Sequence, residues 1–140
     1  MIIPLTPQTW LELYRHVLPF VVEAVAESQG DWDVGDVDMH ILRGDLLAWL
    51  VVHEGRPTAF IAGEFVHYPR HTVFNVTFAA GRLQSSVKEI EQLCSLVKLG
   101  GAKYVEAHCD DRRARLFQRY GFRAIRNVVR KPLDDPPVVH

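Results

Sequence analysis

A chain of 140 residues is the length of one domain with a single core. Its composition is ordinary, 48% hydrophobic and 24% charged, and the formal net charge of −1 gives no overall argument for nucleic acid or an anionic membrane as partner. The longest apolar run, Leu46–Val52, is far short of the roughly 20 residues of a membrane span. The opening MIIPLTPQTW has no basic region ahead of an apolar core, so no secretory leader is expected. Cys94 and Cys109 have no C-x-x-C or Cys/His spacing, so no metal site is expected. They read as buried thiols of a reducing compartment, the cytoplasm or an assembly formed there.

In chain order, Ile2–Leu5 reads as a short strand. Thr6 then caps a helix with Pro7 in its first turn. Trp10, Leu11, Tyr14, Val17 and Leu18 recur at helical spacing, and Pro19 is expected to break or kink that helix, leaving Val21–Ser28 as a second piece. Asp33–Arg43 reads as a short helix ended by Gly44. From residue 45 the period changes to that of strands. Leu46–His53, Pro57–Tyr68 and His71–Ala80, separated by Glu54-Gly55 and Pro69-Arg70, form a three-stranded antiparallel meander. Ser85–Leu99 carries Val87, Ile90, Leu93, Val97 and Leu99 on one side and reads as a helix closed by Gly100-Gly101. A helix joining two strands is a crossover, so the next strand, Lys103–Cys109, is expected parallel to the third meander strand. Asp110 and Asp111 cap a helix near Arg112 that Gly121 ends and Phe122 closes. FRAIRNVVRKPL reads as a last strand, with arginines at 123, 126 and 130. The charge is unevenly spread: seven of the twelve arginines lie between Arg112 and Arg130, whereas Glu23–Asp45 is acid-rich.

Gly101 and Val105, followed by Ala114, Leu116, Phe117, Gly121 and Phe122, fit G-x-x-x-[VI] and then A-x-L-[YF]-x-x-x-G-F. With the element order βαα-βββ-α-β-α-β, this stretch resembles the GNAT superfamily of acyl-CoA N-acyltransferases over nearly the whole chain. The resemblance implies an α/β (α+β) fold: a mixed sheet with an antiparallel meander, a crossover helix and a C-terminal strand-helix-strand. It makes residues 1–133 one domain, with 134–140 a loose tail. The pattern R-x-x-L-F-x-x-x-G-F-R-x-x-R-x-x-x-x-K, from Arg113 to Lys131, is further similar to short GNAT-like proteins encoded among bacteriophage genes.

The resemblance implies direct attack of an amine on the thioester of acetyl-CoA, with backbone N–H groups at a helix N-terminus cradling the pyrophosphate. Counting back from Gly101 sets the cradle at GRLQSS. Gly81 stands where Gln or Arg is usual, Gln84 where a central glycine is usual, and Ser86 at the small last position. Val76, Phe78, Gly81, Arg82, Gln84, Ser85 and Ser86 are therefore the expected cofactor-binding residues, with Ser85 and Ser86 as helix-starting residues. The family's tyrosine acid falls on Phe117, which has no proton to give, and Tyr120 lies three residues on. Glu64, inside the meander, is the candidate base. Glu64 reads equally as the outward polar residue of an alternating strand, and His108 as a satisfied structural histidine. His67 and His71 flank a turn and are expected to be exposed. Two functions follow: an N-acetyltransferase acting on an unidentified amine, or an inactive GNAT-like interaction protein, phage-encoded and virion-associated, with protein partners. A nucleic-acid partner is not expected, because the aromatics near the arginine-rich segment read as core.

Overall fold

The structure, a computed structural model, describes residues 1–134, with only the backbone of Gln84. The elements are β1 (Ile2–Pro4), α1 (Pro7–Ala26), α2 (Val34–Arg43), β2 (Leu47–His53), β3 (Arg56–His67), β4 (Thr72–Gly81), α3 (Val87–Leu99), β5 (Tyr104–Ala107) and α4 (Asp111–Gln118). A 3₁₀ turn, Leu83–Ser85, precedes α3. The chain divides into two compact units, Met1–Ala107 and the residues from His108 on.

The first unit is built on one five-stranded sheet in the order β1-β2-β3-β4-β5. The expected meander is there. β2–β3 and β3–β4 are antiparallel, and β5 is parallel to β4 after the α3 crossover. Glu54 and Gly55, with φ of 53° and 75°, make the tight hairpin turn whose twist suits paired strands.

The period of two along each strand sorts the core into two faces. Ala48, Leu50, Val52, Phe60, Ala62, Phe78 and Ala80 meet Trp10, Val17 and Val21 of α1 and Val37 and Ile41 of α2. The alternate residues Trp49, Val51, Ala59, Ile61 and Phe74 are buried on the other face. α3 belongs to that face: its Glu89 meets His53, and Phe65 stands against Gly100 at its end.

The helix starts follow the expected chemistry. The Thr6 hydroxyl accepts the Thr9 N–H, and Asp33 and Asp36 form a reciprocal capping box at α2. Gly44 ends α2 with φ of 80°. Pro19 does not break α1, which runs unbroken from Pro7 to Ala26. Pro19 and Arg15, whose carbonyl loses its partner, both lie on the exposed side. The buried stripe Trp10, Val17, Val21 and Ala24 continues past them and holds the two halves in line.

The α3 start also differs from expectation. The Ser86 hydroxyl donates to Arg82 O at 2.9 Å, as does that of Ser85 at 3.3 Å, so neither serine caps a helix. The chain makes a 3₁₀ turn first, and α3 begins at Val87.

In the unit from His108 on, the Asp110 carboxylate caps α4 by accepting the Arg113 N–H, and Gly121 adopts φ of 90°. The Phe122 ring closes on Phe117 at 5.1 Å. The expected strand after it does not form; among the described residues no strand follows Ala107. Arg123, Arg126 and Arg130 are spaced by three and four, which puts charge on both faces of any strand and leaves no clean apolar face to bury. Ile125, Val128 and Val129 are exposed accordingly. His108 and Cys109 also lie past the end of β5 and are exposed, contrary to the expected buried histidine and thiol. Cys94 is partly exposed on α3. Residues 135–140 of the expected tail lie outside the described part.

Candidate functional site

β5 accompanies β4 only from Val73/Tyr104 to Val76/Ala107, while β4 itself continues to Gly81. Ala62 pairs with Phe78 and Gly63 with Val76, so Thr77 is an extra residue in β4. Such a bulge bends its strand and sharpens the twist. Here it falls on the residue after the last β4–β5 pair. The bulge fits only because residue 63 is glycine: a Cβ there would run into the Asn75 carbonyl and the Phe74 ring.

β4 leads into the expected cradle. Val76 and Phe78 are buried, and the Phe78 ring packs on Trp32 at 5.1 Å. Phe78 can thus meet a cofactor only through its backbone. Gly81 has φ of 91°, and a Cβ on it would collide with the Thr58 carbonyl. The Arg82 N–H bonds to Thr58 O at 2.8 Å, and the Ser86 N–H to Leu83 O at 3.1 Å. The Arg82 side chain is exposed, Ser85 is exposed, Ser86 is fully buried, and Gln84 lies in the 3₁₀ turn.

Two carboxylates that sequence reasoning did not single out attend this stretch. Glu23, exposed on α1, accepts the Gly81 N–H at 3.1 Å. Glu89, 4% exposed, stands in the first turn of α3. Its Oε1 accepts from the Met1 amino group at 3.1 Å and lies 3.2 Å from His53 Nε2. The His53 nitrogen makes no aligned hydrogen bond, so that contact is electrostatic. Burial raises the Glu89 pKa, but hydrogen bonds from the Met1 amino group and its own backbone N–H, with the charges of Met1 and His53, outweigh it. The net shift is below the ordinary value. Ser86-Val-Lys-Glu89 has the spacing of a capping box, which was the available signal for Glu89. Glu23 had none, since 58 residues separate it from its partner.

Glu64 is exposed on β3, opposite Asn75 of β4, which in turn pairs with Glu106 of β5. The three therefore form a polar row across the sheet, next to where β4 and β5 part. Tyr120 belongs to the second unit, half-buried just past α4. Burial raises its hydroxyl pKa, partly countered by Arg119. Phe117 is buried. His67 is exposed, and its ring bonds the Thr72 hydroxyl at 2.8 Å. His71 is half-buried against Tyr68 and Tyr104. Burial, then Glu91, push the Cys94 thiol up, and partial burial with Asp110 and Asp111 raises that of Cys109 against the lowering charge of Arg113. Among the described residues no group of three His, Cys, Asp or Glu is placed to hold a metal, and no helix is long and apolar enough to cross a membrane.

No protein-family model matches the chain, and no curated protein sequence does. Solved structures do. An aminoglycoside acetyltransferase from an uncultured soil metagenomic sample superposes with a TM-score of 0.70 at 17% identity, over 96% of this chain and 98% of that one. Glucosamine-6-phosphate N-acetyltransferase from Arabidopsis thaliana gives 0.67 at 15% identity, over 96% and 98%. An aminoglycoside N-acetyltransferase in complex with CoA gives 0.70 at 16% identity, over 96% and 95%. At such identities the likeness is one of architecture, and the chain has the α/β fold of the GNAT-like acetyltransferases.

Proposed function

We propose that the chain binds acetyl-CoA between β4 and β5 and transfers the acetyl group to an amine. The observation that carries this reading is that β5 ends at Ala107, opposite Val76, while β4 runs on past the Thr77 bulge to Gly81. It lies in a fold shared with acetyltransferases, one of them in complex with CoA. The stretch Val76–Ser86 fits an extended ligand followed by an anion. It offers strand backbone first, then a glycine of positive φ, then the exposed cations Arg82 and Lys88 near the α3 N-terminus. When bound, the cofactor supplies the acetyl thioester. Glu64, exposed beside Asn75, takes the proton of the attacking amine, directly or through water. The amine nitrogen gains the acetyl group as the carbon–sulfur bond breaks, and the sulfur leaves as a thiol. Phe117 can give that sulfur no proton. Tyr120 carries the one side-chain hydroxyl between His108 and Asp134, and we assign it that role.

The test is release of CoA thiol from acetyl-CoA in the presence of a panel of primary amines. Turnover is expected with at least one of them. Glu64→Gln is expected to lower kcat about 100-fold with cofactor affinity unchanged, the usual scale for a general base. Tyr120→Phe is expected to lower kcat less. Wild-type rates in both variants would remove the assigned roles.

A second reading is favoured by a different observation. Glu23 occupies the Gly81 N–H, and Phe117 replaces a proton donor. On that reading the chain is an inactive GNAT-like interaction protein, phage-encoded and virion-associated. Acetyl-CoA at millimolar concentration then leaves the melting temperature unchanged.

A further inference from the structure

We infer that Glu23 is a specificity-determining residue of the donor site, holding the Gly81 amide against the diphosphate of the incoming cofactor. This rests on the acetyl-CoA reading above. Gly81 ends β4, and its N–H is turned to the side away from β3, where the Glu23 Oε2 accepts it at 3.1 Å. Several neighbouring polar groups are already bonded within the turn. The Arg82 and Ser86 N–H groups bond to backbone carbonyls, and the Ser85 and Ser86 hydroxyls both donate to Arg82 O. The Gly81 amide is thus held by a side chain that can leave, because Glu23 is exposed on the surface of α1. An anion that takes this donor must displace a carboxylate and then lie close to its charge.

Glu89 is a different case. It is buried, and the Met1 amino group and His53 already stand against its charge, so it stays in place and adds little repulsion. Glu23 is the carboxylate at this stretch whose removal shifts the balance. Without its charge the exposed cations at the turn, Arg82 and Lys88, meet the diphosphate with one carboxylate fewer beside the Gly81 amide. The strand edge that would carry the uncharged arm of the cofactor is unaffected. Glu23 therefore weakens binding of the nucleotide half of coenzyme A without weakening that of the pantetheine half.

The test uses two probes, CoA and acetyl-pantetheine, titrated by calorimetry into the wild type and into Glu23→Gln. Glutamine keeps an oxygen acceptor for the Gly81 N–H and removes only the charge. One charge several ångströms from a diphosphate in a solvated site corresponds to about a tenfold change. The expected result is CoA bound about tenfold tighter by Glu23→Gln, with acetyl-pantetheine unchanged. Equal CoA affinity in the two proteins overturns the inference and leaves the acetyl-CoA reading standing. An equal gain for both probes also overturns it, because the effect is then not on the diphosphate. Absence of binding to either probe by either protein removes the acetyl-CoA reading and the inference with it.

Discussion

Glu89 gathers a buried carboxylate, the Met1 amino group and His53 at the start of α3. Its pKa in the folded protein lies below the 4.5 of an unperturbed glutamate. A carboxyl whose folded pKa is depressed stabilises the fold above its unfolded value, and the contribution is lost as pH falls through the folded one. Denaturant midpoints are therefore expected to fall below about pH 4.5 and to do so less in Glu89→Gln. Replacing a hydrogen-bonded charged group should also cost about 2 kcal/mol at neutral pH. A Glu89→Gln protein with wild-type stability and wild-type acid sensitivity would show that the cluster is incidental. Residue identity was legible where the chemistry is local: Thr6 and Asp110 cap as their types and positions dictate. Glu64 was legible as a strand acid. Glu23 was not, because only the packing of α1 against the sheet brings it to Gly81.

The elements show where local rules are overridden. A proline in mid-helix costs about 3 kcal/mol against alanine, yet α1 absorbs Pro19 because one apolar stripe spans the break. Pro19→Ala restores a donor to the Arg15 carbonyl and is expected to stabilise by about 1–2 kcal/mol, after the lost rigidity of the unfolded chain is discounted. A destabilised variant would mean that the helix is bent there for a reason of packing. The Thr77 bulge is the converse case. Gly63→Ala puts a methyl into the Asn75 carbonyl and the Phe74 ring, so β3 and β4 must shift where the bulge sits. A loss of about 2–4 kcal/mol is expected, read by chemical denaturation. Nothing in the run HTVFNVTFAAG announces a bulge, since an extra residue in one strand is defined only by its partner. The failed strand after Phe122 has the opposite lesson. β-branched residues were present, but arginines spaced by three and four denied them a face.

At the scale of the molecule, charge is divided along the chain. Residues 1–107 carry eight Lys and Arg against thirteen Asp and Glu, whereas residues 108–140 carry eight against four. The acetyl-CoA reading predicts a stabilised native state. At a hundredfold excess over Kd, binding contributes about 2.7 kcal/mol, which in a chain of this size raises Tm by roughly 5–10 °C. Dephospho-CoA is expected to act similarly and adenosine not at all, since the strand edge must be filled. A flat melting temperature with saturating acetyl-CoA would favour the interaction-protein reading.

The sequence by itself determined the kinds of element, their order and most of their ends. Hydrophobic period, capping side chains and glycine are local signals, read over a few residues at a time. Tertiary structure decided where the β4–β5 pairing stops and where β4 takes an extra residue, because both are relations between strands. It decided that Pro19 leaves α1 whole and that the serines before α3 bond the Arg82 carbonyl instead of capping the helix. It decided, too, that the amide at the end of β4 faces a carboxylate, because long-range packing alone brings residues 23 and 81 together.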